Sequence, residues 1–220
     1  MVNLIKKVFV TMALMAGFIG ENLVAKAENK VDFDLGVDLV SSYIWRGQDL
    51  GGFSAQPSAT FTFNRTGISF TVWGSAELFK EKEFANMSEV DLVLSWAPTD
   101  AFSLGFSDYH ICGGNYWSGW HFGGVSTHNL EVNLAYDFGL MSLAWNTILT
   151  GFDYKFDGSR AYSSYFEASA PFKIANIDCS AALGIIPWED CYISGGLNSG
   201  FNVTNIAFTA TKELKGFPLM

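Results

Sequence analysis

The chain has 220 residues, of which 49% are hydrophobic and 16% are charged, and its formal net charge is -9. This acidic balance disfavours binding to DNA or RNA, whose phosphates attract basic proteins. After the first 27 residues no apolar run approaches the roughly 18 residues that a membrane-spanning helix needs, so any crossing of a membrane would have to be made by strands.

Residues 1–27 have the layout of a secretory signal peptide. Two lysines precede an apolar run over 8–19, and the small-residue cleavage pattern Ala25-Lys26-Ala27 follows it. Removing this segment takes three lysines and one glutamate from the 13 basic and 22 acidic residues, so the exported part carries a net charge of -11. We expect that part, residues 28–220, to form a single domain, since it contains no linker or low-complexity tract.

From residue 31 onwards, apolar and polar side chains alternate with a period of two, the pattern of strands that have one apolar and one polar face. In the first such segment the odd positions are mostly apolar, and Asp32, Asp34 and Asp38 lie at even positions. The alternation predicts ten strands, over residues 31–45, 57–63, 68–77, 88–96, 102–109, 128–137, 141–149, 162–172, 177–186 and 203–211.

The links between these segments alternate strictly between short and long. Five links have five residues or fewer: 64–67, 97–101, 138–140, 173–176 and 213–216. Five others have nine or more: 46–55, 78–86, 110–127, 150–161 and 187–200. A soluble sandwich has no reason to sort its links by length, whereas outer-membrane barrels have short periplasmic turns and long external loops. The sequence therefore predicts an all-β fold, a transmembrane antiparallel up-and-down β-barrel, with the mature N-terminus on the periplasmic side.

Aromatic residues cluster near both ends of the predicted strands. Near the long loops lie Tyr43, Trp45, Phe79 and Tyr162, and near the short turns lie Phe63, Trp96, Phe102, Tyr136, Phe138 and Phe172. Such girdles are typical of the two interfaces of a membrane.

The number of strands has two interpretations. Single-chain bacterial barrels have even strand numbers, and the tenth segment is followed by a short turn and by 217–220, which reads as the start of an eleventh strand. We expect a twelve-stranded barrel in the complete protein, of which this chain lacks about the last two strands, each of roughly ten residues. Ten strands with a periplasmic tail are the alternative.

A short motif at the end of the first segment resembles a known signature. Ser41-Ser42-Tyr43-Ile44-Trp45-Arg46-Gly47, with Gln48 and the later Gln56-Pro57-Ser58, is similar to the S-x-Y-x-[FW]-R-G pattern of the Gcw_chp family, also described as TorF-type porins. The resemblance implies an outer-membrane barrel, and in that family the layout would continue with further strands beyond Met220. It implies location and fold more firmly than any activity.

The polar faces of the strands would line the interior of such a barrel. They carry the acids Asp32, Asp34, Asp38, Glu77, Glu89, Asp91, Glu131, Asp137, Glu167 and Asp178, against the single base Arg46. An open pore with this lining favours cations. Twelve strands lie between the eight that side chains fill and the sixteen that enclose water, so a narrow channel and a plugged one both fit.

Arg46 has two possible roles in that interior. It lies at the outer end of the first segment and would face Glu77, Glu89, Asp91 or Glu131. It either forms one side of a charged filter or holds the first outer loop through an internal ion pair, and the ion pair is the favoured reading because inward charges in small barrels commonly satisfy one another.

The third long link, 110–127, is rich in glycine and aromatic residues. Tyr116, Trp117 and Trp120 are candidates for binding a ligand, such as a sugar ring, at the pore mouth. His110, Cys112 and His121 match no strong metal signature, so no metal site and no cofactor are predicted. Whether Cys112 is bridged to Cys191 is left open.

Three classes of function fit the sequence. The first is a narrow porin-like channel with an acidic lumen for small solutes or cations, and the second is a non-conducting surface-binding or structural barrel. The third, a lipid hydrolase using His128 and Ser164, is not favoured because the two residues lie on non-adjacent strands, so we do not expect an enzyme. We expect location in the outer membrane of a Gram-negative bacterium, with membrane lipid, periplasmic chaperones and the barrel-assembly machinery as partners.

Overall fold

The computed structural model describes residues 31–79, 89–111, 127–193 and 200–211, and these contain only β-structure. The strands are β1 (Val31–Val40), β2 (Tyr43–Trp45), β3 (Gln48–Gly51), β4 (Ser54–Phe63), β5 (Ile68–Glu77), β6 (Glu89–Trp96), β7 (Phe102–Ile111), β8 (His128–Asp137), β9 (Ser142–Ile148), β10 (Ser164–Ile174), β11 (Ile177–Ile186) and β12 (Asn202–Thr211). The signal-peptide prediction and the predicted start of an eleventh strand lie outside the described residues. Within these ranges no helix is long and apolar enough to span a membrane.

Ten of the strands form one antiparallel sheet, in the order β1-β4-β5-β6-β7-β8-β9-β10-β11-β12. Each strand of this sheet pairs with the next one in chain order, apart from β2 and β3, and short turns join four of the nine pairs: β4–β5, β6–β7, β8–β9 and β10–β11. At the first short turn the amides of Thr66 and Gly67 both bond to the carbonyl of Phe63, at 3.1 Å. Gly67 has a φ of +69°, and a Cβ there would lie 2.2 Å from the carbonyl oxygen of Ala97, so the turn requires glycine. The predicted all-β fold and its ten antiparallel segments are confirmed.

The two faces of the sheet have the opposite exposure to that of a soluble protein. On the apolar face, large side chains such as Leu35, Leu94 and Phe208 are 68%, 50% and 78% exposed. On the polar face, Gln56, Asp91 and Glu131 are almost completely buried. Hydrophobic residues scattered singly on a surface are ordinary, whereas here exposed apolar side chains follow one face of the sheet from strand to strand.

The predicted end of the first strand is wrong. The first segment does not run to Trp45, because β1 ends at Val40 and Tyr43–Trp45 pairs with Gln48–Gly51 in a separate two-stranded sheet. Arg46 and Gly47 form the tight turn between them, with φ of +51° and +87°, as a two-residue hairpin of the I′ kind requires. We call residues 43–51 the inner hairpin.

The inner hairpin lies against the polar face of the sheet. Tyr43 and Trp45 are each only 8% exposed and belong to the core cluster, so they are not part of an outer aromatic girdle, contrary to expectation. A Cβ on Gly47 would lie 1.8 Å from the carbonyl oxygen of Thr204, so the turn abuts the backbone of β12. Since the same hairpin also reaches β6 and β8, the polar face curves around it.

Candidate functional site

The inner hairpin is anchored by a buried ion pair. Arg46 at its turn donates to both carboxylate oxygens of Glu131 on β8, with Nη1–Oε1 at 2.5 Å and Nη2–Oε2 at 2.8 Å. The two side chains are 5% and 0% exposed. The guanidinium also lies 4.4 Å from the ring centroid of Trp45 and 4.9 Å from that of Tyr165. This bidentate geometry is the strongest form of an arginine–carboxylate contact. It is the internal ion pair that the sequence favoured over a charged filter.

Glu131 has further donors of its own. The Tyr109 hydroxyl on β7 and the Asn133 amide both donate to its Oε2 at 2.6 Å. Asn133 in turn donates to Asn146 at 2.9 Å and accepts from the Ser107 hydroxyl at 2.8 Å. With four hydrogen bonds and a counter-charge, Glu131 is held in place and its charge is compensated.

A second acidic pair, on β6, has no such compensation. Glu89 and Asp91 both lie on the polar face and are 6% and 1% exposed. Tyr43 of the inner hairpin donates to Glu89 Oε2 at 2.8 Å, whereas neither oxygen of Asp91 makes a hydrogen bond. Among the described residues no arginine or lysine forms an ion pair with either carboxylate. A buried charge without a partner is unusual and points to a neutralising proton or ligand.

Glu89 lines a small cavity between the inner hairpin and the wall. The cavity has a volume of 160 Å³ and is lined by Trp45, Gln48, Leu50, Glu89, Tyr109 and Tyr192. Three aromatic rings line it, and the ring centroid of Trp45 lies 5.8 Å from that of Tyr109 and 5.9 Å from that of Tyr192, both edge-to-face. Tyr192 comes from the last long link and is tied to the hairpin through Gln48, whose amide donates to the Tyr192 carbonyl at 3.4 Å.

The other predicted lumen residues lie apart from these two centres. Glu77 is half-buried and accepts from the backbone amide of Gly52 at 3.2 Å, and Asp38 is half-buried on β1. Glu167 accepts from the hydroxyl of Tyr165 at 2.5 Å and from the amide of Asn205 at 3.3 Å. The structure therefore brings together Arg46 with Glu131, and leaves the remaining acids without contact to that arginine.

A polar cluster on the apolar face is a feature that sequence reasoning missed. Asp108 lies opposite Leu92 and Leu130 in the sheet register, yet its carboxylate contacts Nδ1 of His128 at 2.9 Å. The ring of His128 stacks on that of His110 at 4.4 Å, and all three residues are buried. The alternation within the predicted strand 102–109 already assigns Asp108 to this face, so the signal was present in the sequence.

His128 and Ser164, the candidates for hydrolysis, do not meet. Ser164 hydrogen-bonds to Thr147 at 2.7 Å, and Thr147 lies opposite Val132, four residues along β8 from His128. The arrangement offers no serine in reach of the Asp108–His128 pair among the hydrogen bonds of the described residues.

The remaining candidates are only partly described. Tyr116, Trp117 and Trp120, together with Cys112 and His121, lie outside the described residues. Cys191 is a free thiol whose Sγ accepts from the backbone amide of Tyr154 at 3.2 Å, and burial raises the pKa of this thiol. Within the described ranges no group of three or more His, Cys, Asp and Glu side chains is arranged to hold a metal ion.

The structure adds aromatic residues to the predicted site. Tyr109 and Tyr165 lie on the polar faces of their strands, and strand parity alone would have identified them. Tyr192 comes from a link between strands, where alternation gives no guide, and the inner hairpin combines the end of the first predicted strand with the link that follows it. Comparisons with family models, curated proteins and solved structures found no match to this chain.

Proposed function

We propose that this chain is an outer-membrane β-barrel protein with a narrow, acidic interior that passes small solutes or cations past the inner hairpin. The observation that carries the proposal is the inverted polarity of the sheet. A continuous apolar face suits contact with hydrocarbon, and a buried polar face suits an enclosed aqueous interior. The resemblance of 41–47 to the Gcw_chp signature and the signal-peptide pattern support the same location.

Charge favours cations over anions in this interior. Arg46 is matched by Glu131, and Glu89 and Asp91 add two carboxylates with no matching base among the described residues. A passage lined in this way raises the local concentration of cations and repels anions.

Single-channel recording across a planar bilayer tests the proposal. The purified full chain, reconstituted under a potassium chloride gradient, is expected to give a small conductance whose reversal potential favours K⁺ over Cl⁻. Anion selectivity would contradict the acidic-lumen assignment. R46A, which frees the turn of the inner hairpin, is expected to raise the conductance, and D157N, in the exposed part of the link 150–161, serves as the control.

A non-conducting surface-binding or structural barrel is the second candidate. The inner hairpin favours it, because Trp45, Arg46 and Tyr43 occupy the space that a passage would need. The absence of any conductance from both the native chain and R46A would support this candidate instead.

A further inference from the structure

We propose that the cavity beside Glu89 binds a small organic ammonium ion, a protonated or quaternary amine held between the carboxylate of Glu89 and the rings of Trp45, Tyr109 and Tyr192. The proposal deepens the proposed function, on which it rests, since it names the class of cation that the acidic interior receives.

Buried negative charge is in excess beside the cavity. Glu131 is compensated by Arg46, whereas Glu89 and Asp91 have no ion pair with a described residue. Asp91 is 1% exposed and makes no hydrogen bond, and it lies two positions from Glu89 on the same face of the same strand. A cation in the cavity would compensate Glu89 directly, and it would compensate Asp91, which does not line the cavity, only at a longer distance.

The other walls of the cavity are aromatic and suit a cation. Aromatic faces attract cations and stabilise ammonium groups most strongly where water is excluded. The hydroxyls of Tyr43 and Tyr109 are already donated to Glu89 and Glu131, so they are not available to hold an anion. The other polar groups of the lining, the Gln48 amide and the Tyr192 hydroxyl, are neutral.

The volume of the cavity limits the size of the ligand. A cavity of about 150 Å³ accommodates a molecule such as benzene, so 160 Å³ suits a ligand of roughly six to eight non-hydrogen atoms. A metal ion would need more ligand atoms than the cavity supplies, because among its lining residues Glu89 alone carries a charge. An amine with small alkyl substituents satisfies the volume, the charge and the aromatic walls together.

Isothermal titration of the purified full chain in a non-ionic detergent tests the proposal. Choline is the probe, and 3,3-dimethylbutan-1-ol, which has the same shape without the charge, is the matched control ligand. We expect choline to bind at least about tenfold more tightly than the neutral alcohol, as a desolvated cation–aromatic contact implies. Equal binding of the two, as expected if Glu89 and Asp91 share a proton, or no binding of choline would overturn the proposal.

Variants locate the site. E89Q is expected to weaken choline binding, and D91N to weaken it less, whereas D157N, which removes an exposed acid from the link 150–161, is expected to leave it unchanged. Loss of binding in D157N alone would assign the ligand elsewhere and overturn the proposal. The comparison of the two ligands needs only the native chain, so it remains decisive if E89Q does not fold.

Two further measurements separate this inference from the channel itself. Choline binding without conductance would support the ammonium site and contradict the channel. Conductance without choline binding would support the channel and contradict the ammonium site. Displacement of choline by a short-chain phosphatidylcholine would identify a lipid headgroup as the source of the ammonium group. Failure of that lipid to compete would identify a free solute.

Discussion

Arg46 is the residue on which the packing of the interior depends. It is buried against Trp45 and Tyr165 and is matched to Glu131 by two hydrogen bonds, so its removal leaves an uncompensated carboxylate. Breaking a buried ion pair on one side is far more damaging than replacing both partners, because the desolvated charge that remains has nothing to stabilise it.

We expect R46A to lower the free energy of unfolding by about 3–5 kcal/mol. R46K keeps the charge but cannot form both bonds, so its loss should be smaller but clear. Chemical denaturation in detergent, followed by tryptophan fluorescence, measures both. A change below about 0.5 kcal/mol in R46A would show that the pair contributes nothing to stability.

Gly47 gives a second prediction at the scale of one residue. Gly47 and Gly139 have nearly the same φ, +87° and +88°, but a Cβ on Gly47 meets the backbone of Thr204, whereas one on Gly139 meets nothing within 4 Å. G139A should therefore cost about 1 kcal/mol for backbone strain alone. G47A should cost about 1–3 kcal/mol more, the usual penalty of overpacking.

The same unfolding measurement tests this pair. Equal destabilisation by G47A and G139A would contradict the contact between the inner hairpin and β12. A larger loss in G47A would support that contact, since the conformational term is common to both variants.

At the scale of elements, two long links pack against each other through Asp153. Its carboxylate accepts from the backbone amide of Ser163 at 3.0 Å and from the Ser163 hydroxyl, and the thiol of Cys191 lies 3.8 Å away. Burial raises the pKa of the Asp153 carboxyl, the hydrogen bonds from Ser163 oppose this shift, and the charge of Asp190 adds to it.

The pH dependence of this packing follows from the direction of the shift. A carboxyl with a raised pKa binds more protons in the folded state than in the unfolded state. Its contribution to stability therefore falls as pH rises from its unfolded-state pKa through its folded-state pKa. We expect protection of 150–163 from proteolysis to increase as pH falls from neutral, and D153N to remove this dependence. An unchanged pH profile in D153N would assign the effect to another group.

The elements differ in how far the sequence predicts them. The ten sheet strands are predictable because each has an apolar and a polar face, and a slip of one residue would exchange the two faces. The inner hairpin is not, because the alternation of β1 continues through Tyr43 and Trp45 while the chain bends at Ser41 and Ser42. The cavity is also beyond sequence reasoning, since Gln48, Glu89 and Tyr192 come from three separate segments.

At the scale of the whole molecule, the account depends on which face of the sheet meets hydrocarbon. Side chains on the apolar face are widely exposed. Burying this surface in a membrane would contribute about 25 cal/mol of stability for each Å², which makes it a large stabilising term. The strand number of the complete protein stays a prediction, because 212–220 lie outside the described residues.

Quenching by lipids with labelled acyl chains tests this central claim most directly. Fluorophores at L94C and L143C on the apolar face, each paired with its polar-face neighbour in S95C and A144C, would be compared in a background in which the three native cysteines are replaced by serine. The account predicts strong quenching at Leu94 and Leu143 and weak quenching at Ser95 and Ala144. The reverse pattern, or a mature chain that stays monodisperse in water without detergent, would contradict it.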